Sequence, residues 1–206
     1  MFDTGNDYKS DFIELIMTLN QDTDSKHNLI DYLNNETDFF TSPFTTKYQF
    51  SYTGGLVKYC LKVYDNLCKL VAINENDINE DTLIVVSLFH CLYKINSFKV
   101  ISKNIKQYNP SGKKFDELGH FDWISEMGYT YNDEKTTNIY GEPGFSSYMI
   151  ISRFLALTEN EILAIKYFNI WEESKDFSGD IWNLLKQYPL ITLLHCAIMM
   201  TLTNEW

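Results

Sequence analysis

Apolar residues recur at helical spacing through most of the chain. In the stretch 56–73, Leu56, Tyr59, Cys60, Val63, Leu67 and Leu70 fall on one face, which predicts a long helix. "DFIELIMTLN" (11–20) and "DSKHNLIDYLNN" (24–35) predict two shorter amphipathic helices before it. A polar and aromatic stretch, "ETDFFTSPFTTKYQFSYTGG", separates them from the long one. Asp77 and Glu80 have the spacing of a capping box and predict a helix over 78–96. Residues 109–141 mix Gly, Asn, Asp, Lys and aromatics with no 3.6-residue period, and predict a long loop or a small hairpin. Helical spacing returns over 145–156. Thr158 with Glu161 is a second capping-box pair, opening a helix through Phe168. A short helix is expected from Ser178, and Pro189 suits the first position of a last helix, "PLITLLHCAIMMTL". The pattern predicts an all-α domain with one insert around 109–141. Residues 1–38 form a helical N-terminal extension, compact with the main unit 39–206.

The 206 residues are 45% hydrophobic and 16% aromatic, enough for a filled core in one domain. No apolar run has the length to cross a bilayer, and "MFDTGNDYKSDF" lacks the apolar stretch of a signal peptide. The expected compartment is the cytoplasm, with no membrane partner. Cys60, Cys68, Cys91 and Cys196 form no C-x-x-C pair and sit in apolar helical patterns, so buried free thiols are expected rather than a zinc site. The net charge of −11 argues against gripping phosphate backbones, so no direct nucleic-acid binding is expected; it suits a basic protein partner instead. Abundant Asn, Ile, Tyr and Lys is what AT-rich coding produces, as in low-GC bacteria and their phages.

Four separated stretches bear on chemistry. "FTSPFTTKYQFSYTGGLVKYCLKVY" (40–64) resembles the segment of HD-domain metal-dependent phosphohydrolases that reads Phe-Thr-Ala-Pro-Ala-Ser-Thr-Lys-Tyr-His, then Tyr-x-Gly-Gly-Leu-x-x-His. "LFHCLYKI" (88–95) resembles the His-Asp helix of that superfamily. "GEPGFSSYMIISRFLALTENEILAIKYFN" (141–169) is similar to its stretch from His-Gly-Glu-Lys-Ser to Ala-Ile-Arg-x-His. "YPLITLLHCAIMMTL" (188–202) is similar to its closing helix with Leu-Leu-His-x-Ala-Asp. The four stand in family order and cover roughly 39–206. The resemblance implies an HD-like helical bundle.

It also assigns the family's metal ligands, residue by residue. Histidines of the family fall on Gln49 and Tyr59. The His-Asp pair falls on His90 and Cys91, the third-motif histidine on Glu142, the histidine closing that motif on Phe168, and the last aspartate on Ile198. Of the ligand set only His90 is kept. HD chemistry needs several imidazoles and carboxylates around one or two divalent ions that polarise a phosphoryl group and supply hydroxide. A single neutral imidazole holds no such ion against water, so the expectation is an inactive site, with no metal, no cofactor and no catalytic residue. His90 and Cys91, taken as helical neighbours, point about 100° apart and do not chelate one ion.

The residues left over carry plainer readings. His90 is expected to be buried and bonded to a backbone carbonyl or to Tyr59. Lys94, where the family often uses a lysine near substrate phosphate, is expected to pair with an acid; with Ser146 it is also a candidate for holding a ligand. Cys91 lacks a facing base, since adjacent helical residues do not meet. His195 is expected at a helix contact, and His120 has no visible catalytic partner. The insert carries Phe121, Trp123, Tyr129, Tyr131 and Tyr140 among polar residues, which suits either a protein interface or a lid over the domain. Three functions stay open. The favoured one is an inactive HD-like pseudoenzyme that binds a protein, as a phage or mobile-element factor acting on host machinery would. The others are an atypical metal-dependent phosphohydrolase acting on a nucleotide or phosphoester, and a binder of a nucleotide or other small molecule.

Overall fold

Three of the helices begin where a side chain accepts from a first-turn backbone N–H. The structure, a computed structural model, describes residues 6–74, 77–132, 134, 142–173 and 179–203. α1 (Asn6–Thr18) is followed by α2 (Thr23–Asp31), whose first turn is capped by the Asp22 carboxylate accepting from the Ser25 N–H at 2.9 Å. α2 runs on into a π-helical turn, Tyr32–Glu36. Phe12 of α1 is fully buried and its ring lies 5.0 Å from Phe39 and 6.0 Å from Phe89. α1 therefore fills the same core as the rest.

α3 (Gly55–Ile73) covers the predicted long helix and buries Leu56, Tyr59, Cys60, Val63 and Leu67. Two glycines govern its entry. Gly54 has φ +81°, where L side chains are strained, and a Cβ on Gly55 would overlap the Phe50 carbonyl. Gly144 plays the second role at α5 (Pro143–Ile151), where a Cβ would overlap the carbonyl of Lys166 in α6 (Glu159–Tyr167). α6 starts with the expected capping box: the Glu161 N–H donates to the Thr158 hydroxyl, and the Thr158 N–H to the Glu161 carboxylate. α7 (Ile170–Glu173), α8 (Gly179–Gln187) and α9 (Pro189–Thr203) complete the body. Pro189 opens α9 as predicted. α9 packs along α3, with the Asn66 amide donating to Thr201 Oγ1 at 3.0 Å.

α4 (Glu80–Phe89) departs from the expected 78–96 helix. Its cap is Asn79, whose side chain accepts from the Asp81 N–H at 3.0 Å, and not the Asp77–Glu80 pair. His90 ends the helix. Cys91, at φ −105° and ψ 18°, lies off it, before a 3₁₀ turn over Leu92–Lys94. Leu83 to Phe89 are all buried, so no polar face marks where the helix stops.

The insert overturns the all-α expectation. β1 (Phe98–Tyr108), β2 (Lys114–Asp116) and β3 (Gly119–Tyr131) form an antiparallel sheet in the order β1–β3–β2, so the chain is a helix-rich mixed α/β fold. β1 and β3 pair continuously from Phe98↔Tyr131 to Tyr108↔Phe121. The strand pair starts at 98, well before the predicted insert. Both of its faces are largely solvent-exposed, so "FKVISKNIKQY" alternates without the apolar/polar contrast that reveals a half-buried strand. At its root the Asn96 N–H donates to the Asp38 carboxylate at 2.7 Å, with Asn96 at φ +58°, and the Asn132 N–H donates to the Ser97 carbonyl at 2.8 Å. Among the described residues, no helix is long and apolar enough to cross a membrane.

Candidate functional site

Where α3, the end of α4 and the end of α6 meet, three of the positions that the resemblance assigns to metal ligands come together. Tyr59, His90 and Phe168 are all buried. The His90 Nδ1–H donates to the carbonyls of Ser87 (2.9 Å) and Val86 (3.2 Å), one helical turn back. That leaves Nε2 as acceptor, and it takes the Tyr59 hydroxyl proton at 3.3 Å. Both partners expected of His90 are thus present. Burial pushes the imidazole down to about 4, so the ring is neutral near pH 7. The Phe168 ring sits edge-on to His90, with centroids 5.2 Å apart.

The space beside these residues is filled by rings. Phe44 stacks on Tyr59 at 3.6 Å, and Phe50 meets it edge-on at 5.6 Å. Lys94 lies over Phe44, its ammonium 4.5 Å from the ring centre, and also faces Tyr93 and Phe98. These contacts with aromatic faces hold the ammonium beside the corner. Ser147 supports the corner: its hydroxyl donates to the His90 carbonyl at 2.7 Å and accepts from the Tyr93 N–H at 3.1 Å.

Cys91 faces away from the His90 ring in a different sense from that expected. It has left the helix, and its Sγ lies 3.1 Å from Cys60 Sγ of α3, both thiols buried. Burial pushes the Cys60 thiol well up, which disfavours a thiolate. Both His90 nitrogens are engaged elsewhere, so the imidazole does not serve Cys91 as a base.

The remaining positions are dispersed or filled. Ile198 is buried in α9. Gln49 is half-buried on the loop beside Phe50, which has φ +56°. Glu142 is exposed at the start of α5 and makes no capping bond with its side chain. Ser146 is fully buried within α5. His195 makes the expected helix contact, donating from Nδ1 to the Phe168 carbonyl at 3.1 Å; His120 bonds to the Gly112 carbonyl. Among the described residues no three His, Cys, Asp or Glu side chains are grouped as a metal site. One imidazole beside a phenol and a phenyl ring supplies too few donors to hold a divalent cation.

Sequence reasoning did not find Phe44, Phe50, Cys60 or Ser147 as members of this corner. The Ser146–Ser147 pair drew attention only to its first serine, and nothing local marks Phe44 as the ring that stacks on Tyr59. Of the insert's aromatics, Phe121 is buried, Trp123 and Tyr131 are exposed, and Tyr129 is half-buried with its hydroxyl 2.9 Å from Thr53 Oγ1. Tyr140 lies outside the described residues. A surface pocket of about 380 Å³ lies elsewhere, between α1 and α3, lined by Tyr8, Asp11, Glu14, Lys58 and Lys62 among others. Comparison with protein-family models, curated proteins and solved structures gave no match to this chain.

Proposed function

We propose that the chain is a catalytically inactive HD-like module that works by binding another protein. The observation that carries this is the content of the corner around His90. Positions 59, 90 and 168, which the resemblance assigns to metal ligands, converge there on a neutral imidazole between a tyrosine and a phenylalanine, with Phe44 stacked beside them. Removing a metal while keeping its ligands would leave buried polar groups unpaired, which is costly; replacing the ligands with rings closes the space. Support for a binding role comes from the β1–β3 ribbon, which holds Trp123, Met127 and Tyr131 exposed on a rigid ladder. The acidic excess of the chain suits a basic partner in the cytoplasm, and its AT-rich composition suits a phage or mobile-element gene.

The test is elemental analysis of protein expressed in manganese- and nickel-supplemented medium and purified without chelator. Clearly substoichiometric metal is the expected result. A full equivalent, lost on His90→Ala, would overturn the inactive-site reading and direct work to phosphoester hydrolysis. Metal binding restored by joint replacement of Gln49→His, Tyr59→His, Cys91→Asp, Phe168→His and Ile198→Asp would support the account of a repacked site.

A further inference from the structure

Two thiols meet inside the body, and none of the chemistry above uses them. Cys60 of α3 and Cys91, just past the end of α4, are 0% and 1% exposed, and their sulfurs lie 3.1 Å apart. Packed carbon atoms sit about 3.5–4.0 Å apart, and sulfur is larger than carbon, so this is a directed contact and not two small side chains in ordinary packing. The residues in front of the two cysteines also meet, through the Tyr59 hydroxyl and His90 Nε2 at 3.3 Å. Tyr59–His90 and Cys60–Cys91 are thus successive rungs between the same two segments.

The main chain holds the second rung in place. The Cys91 carbonyl accepts from the Lys94 N–H at 3.0 Å. The Ser147 hydroxyl donates to the His90 carbonyl at 2.7 Å and accepts from the Tyr93 N–H at 3.1 Å, so it braces the chain on both sides of Cys91. Had α4 continued through Cys91, the side chain would have kept its helical direction; at φ −105° and ψ 18° the residue has left the helix and its sulfur meets α3.

We propose that Cys60 and Cys91 are a redox pair, which a small peroxide closes into a disulfide that ties α3 to the segment leaving α4 and stabilises the body around His90. A disulfide has sulfurs about 2.04 Å apart, so they must approach by only about 1 Å. Burial favours a small neutral oxidant over a bulky one such as oxidised glutathione, and it makes the reaction slow, since the Cys60 thiol is pushed well up. The step balances with one hydrogen peroxide. The first sulfur takes a peroxide oxygen as the O–O bond breaks, and its proton leaves in a water molecule, which gives a sulfenic acid. The second sulfur displaces that hydroxyl: the S–S bond forms, the S–O bond breaks, and a second water carries off the remaining proton. The two sulfurs lose two electrons and the peroxide gains them. The new bond joins residues 31 apart in sequence, which restricts the unfolded chain and so favours the folded one. This cross-link is independent of the binding role proposed above, because neither thiol lies on the ribbon.

The test uses the full chain, first reduced with dithiothreitol, then treated with a few equivalents of hydrogen peroxide. After the free thiols are alkylated, trypsin places the four cysteines on four separate fragments, with Cys60 in 59–62 and Cys91 in 70–94. Mass spectrometry should find these two fragments joined, two hydrogens lighter than their sum, and parted again by dithiothreitol. The thermal midpoint should rise by about 5 to 10 °C on oxidation and return on reduction. Cys60→Ala, which keeps an apolar side chain in the core, should give neither the link nor the rise. Fragments 59–62 and 70–94 that stay apart while the exposed Cys196 is oxidised overturn the proposal. So does a rise of the same size in Cys60→Ala, and a link without a rise overturns the stabilising role. If Cys60→Ala fails to fold, the mapped link and its reversal in the natural chain decide alone.

Discussion

Replacing His90 with leucine isolates the titration of one buried ring. Above pH 6.5 the imidazole is neutral in both native and unfolded chains and adds no pH dependence. Below it, the unfolded chain takes up a proton that the native state refuses until about pH 4. Stability therefore falls as pH falls through this window, by about 1.4 kcal/mol per pH unit and about 3 kcal/mol in total. The cause is burial first, with a smaller repulsion from Lys94. His90→Leu loses the bonds to Tyr59 and Ser87, a loss that does not vary with pH, and it loses the acid slope. Urea unfolding followed by circular dichroism, in half-unit steps from about pH 7.5 to 4.5, gives the two curves. The stability advantage of the natural chain over the variant should shrink by about 2 to 3 kcal/mol over that range. Asp38, whose carboxyl burial pushes up, acts in the opposite sense: the native state holds its proton longer, so stability falls as pH rises through its own window. It is present in both proteins and cancels in the difference. Parallel curves would refute the burial and the tautomer assigned to His90.

Other substitutions test other joints. Phe12→Ala should cost about 3 to 5 kcal/mol in urea unfolding, as for a fully buried ring, and would show that the first helix is integral to the domain. Cys91→Asp places a carboxylate beside the buried Cys60 thiol; a loss of about 3 kcal/mol or more is expected in the same assay. Thr158→Ala removes the N-cap of α6 and should cost about 1 kcal/mol, read as a lowered thermal midpoint.

The helices that sequence placed well are those with local signals. α3 has one buried stripe, α6 has Thr158 and Glu161, and α9 has Pro189. The end of α4 was illegible because Leu83 to Phe89 are buried on every side, which also hid that Cys91 turns toward Cys60. The ribbon was illegible for the opposite reason: neither face is buried, so its alternation has no contrast. The corner around His90 was half legible. His90 and its Tyr59 partner were expected from the resemblance to HD-domain hydrolases, but the stack of Phe44 on Tyr59 depends on a loop whose Tyr48 and Phe50 adopt positive φ, and no residue there announces it.

Gly55 and Gly144 give the chain an unusual map of mutational tolerance. Around His90 the space is filled by side chains, and one filler can drift to another so long as volume and polarity are kept. At the two glycines the space is filled by another segment's main chain, the Phe50 carbonyl in one case and the Lys166 carbonyl in the other. No smaller residue exists to drift to, and no neighbour can shrink. Saturation mutagenesis should therefore find its sharpest intolerance at two positions with no side chain and no chemistry, while a corner that looks catalytic on paper accepts conservative change.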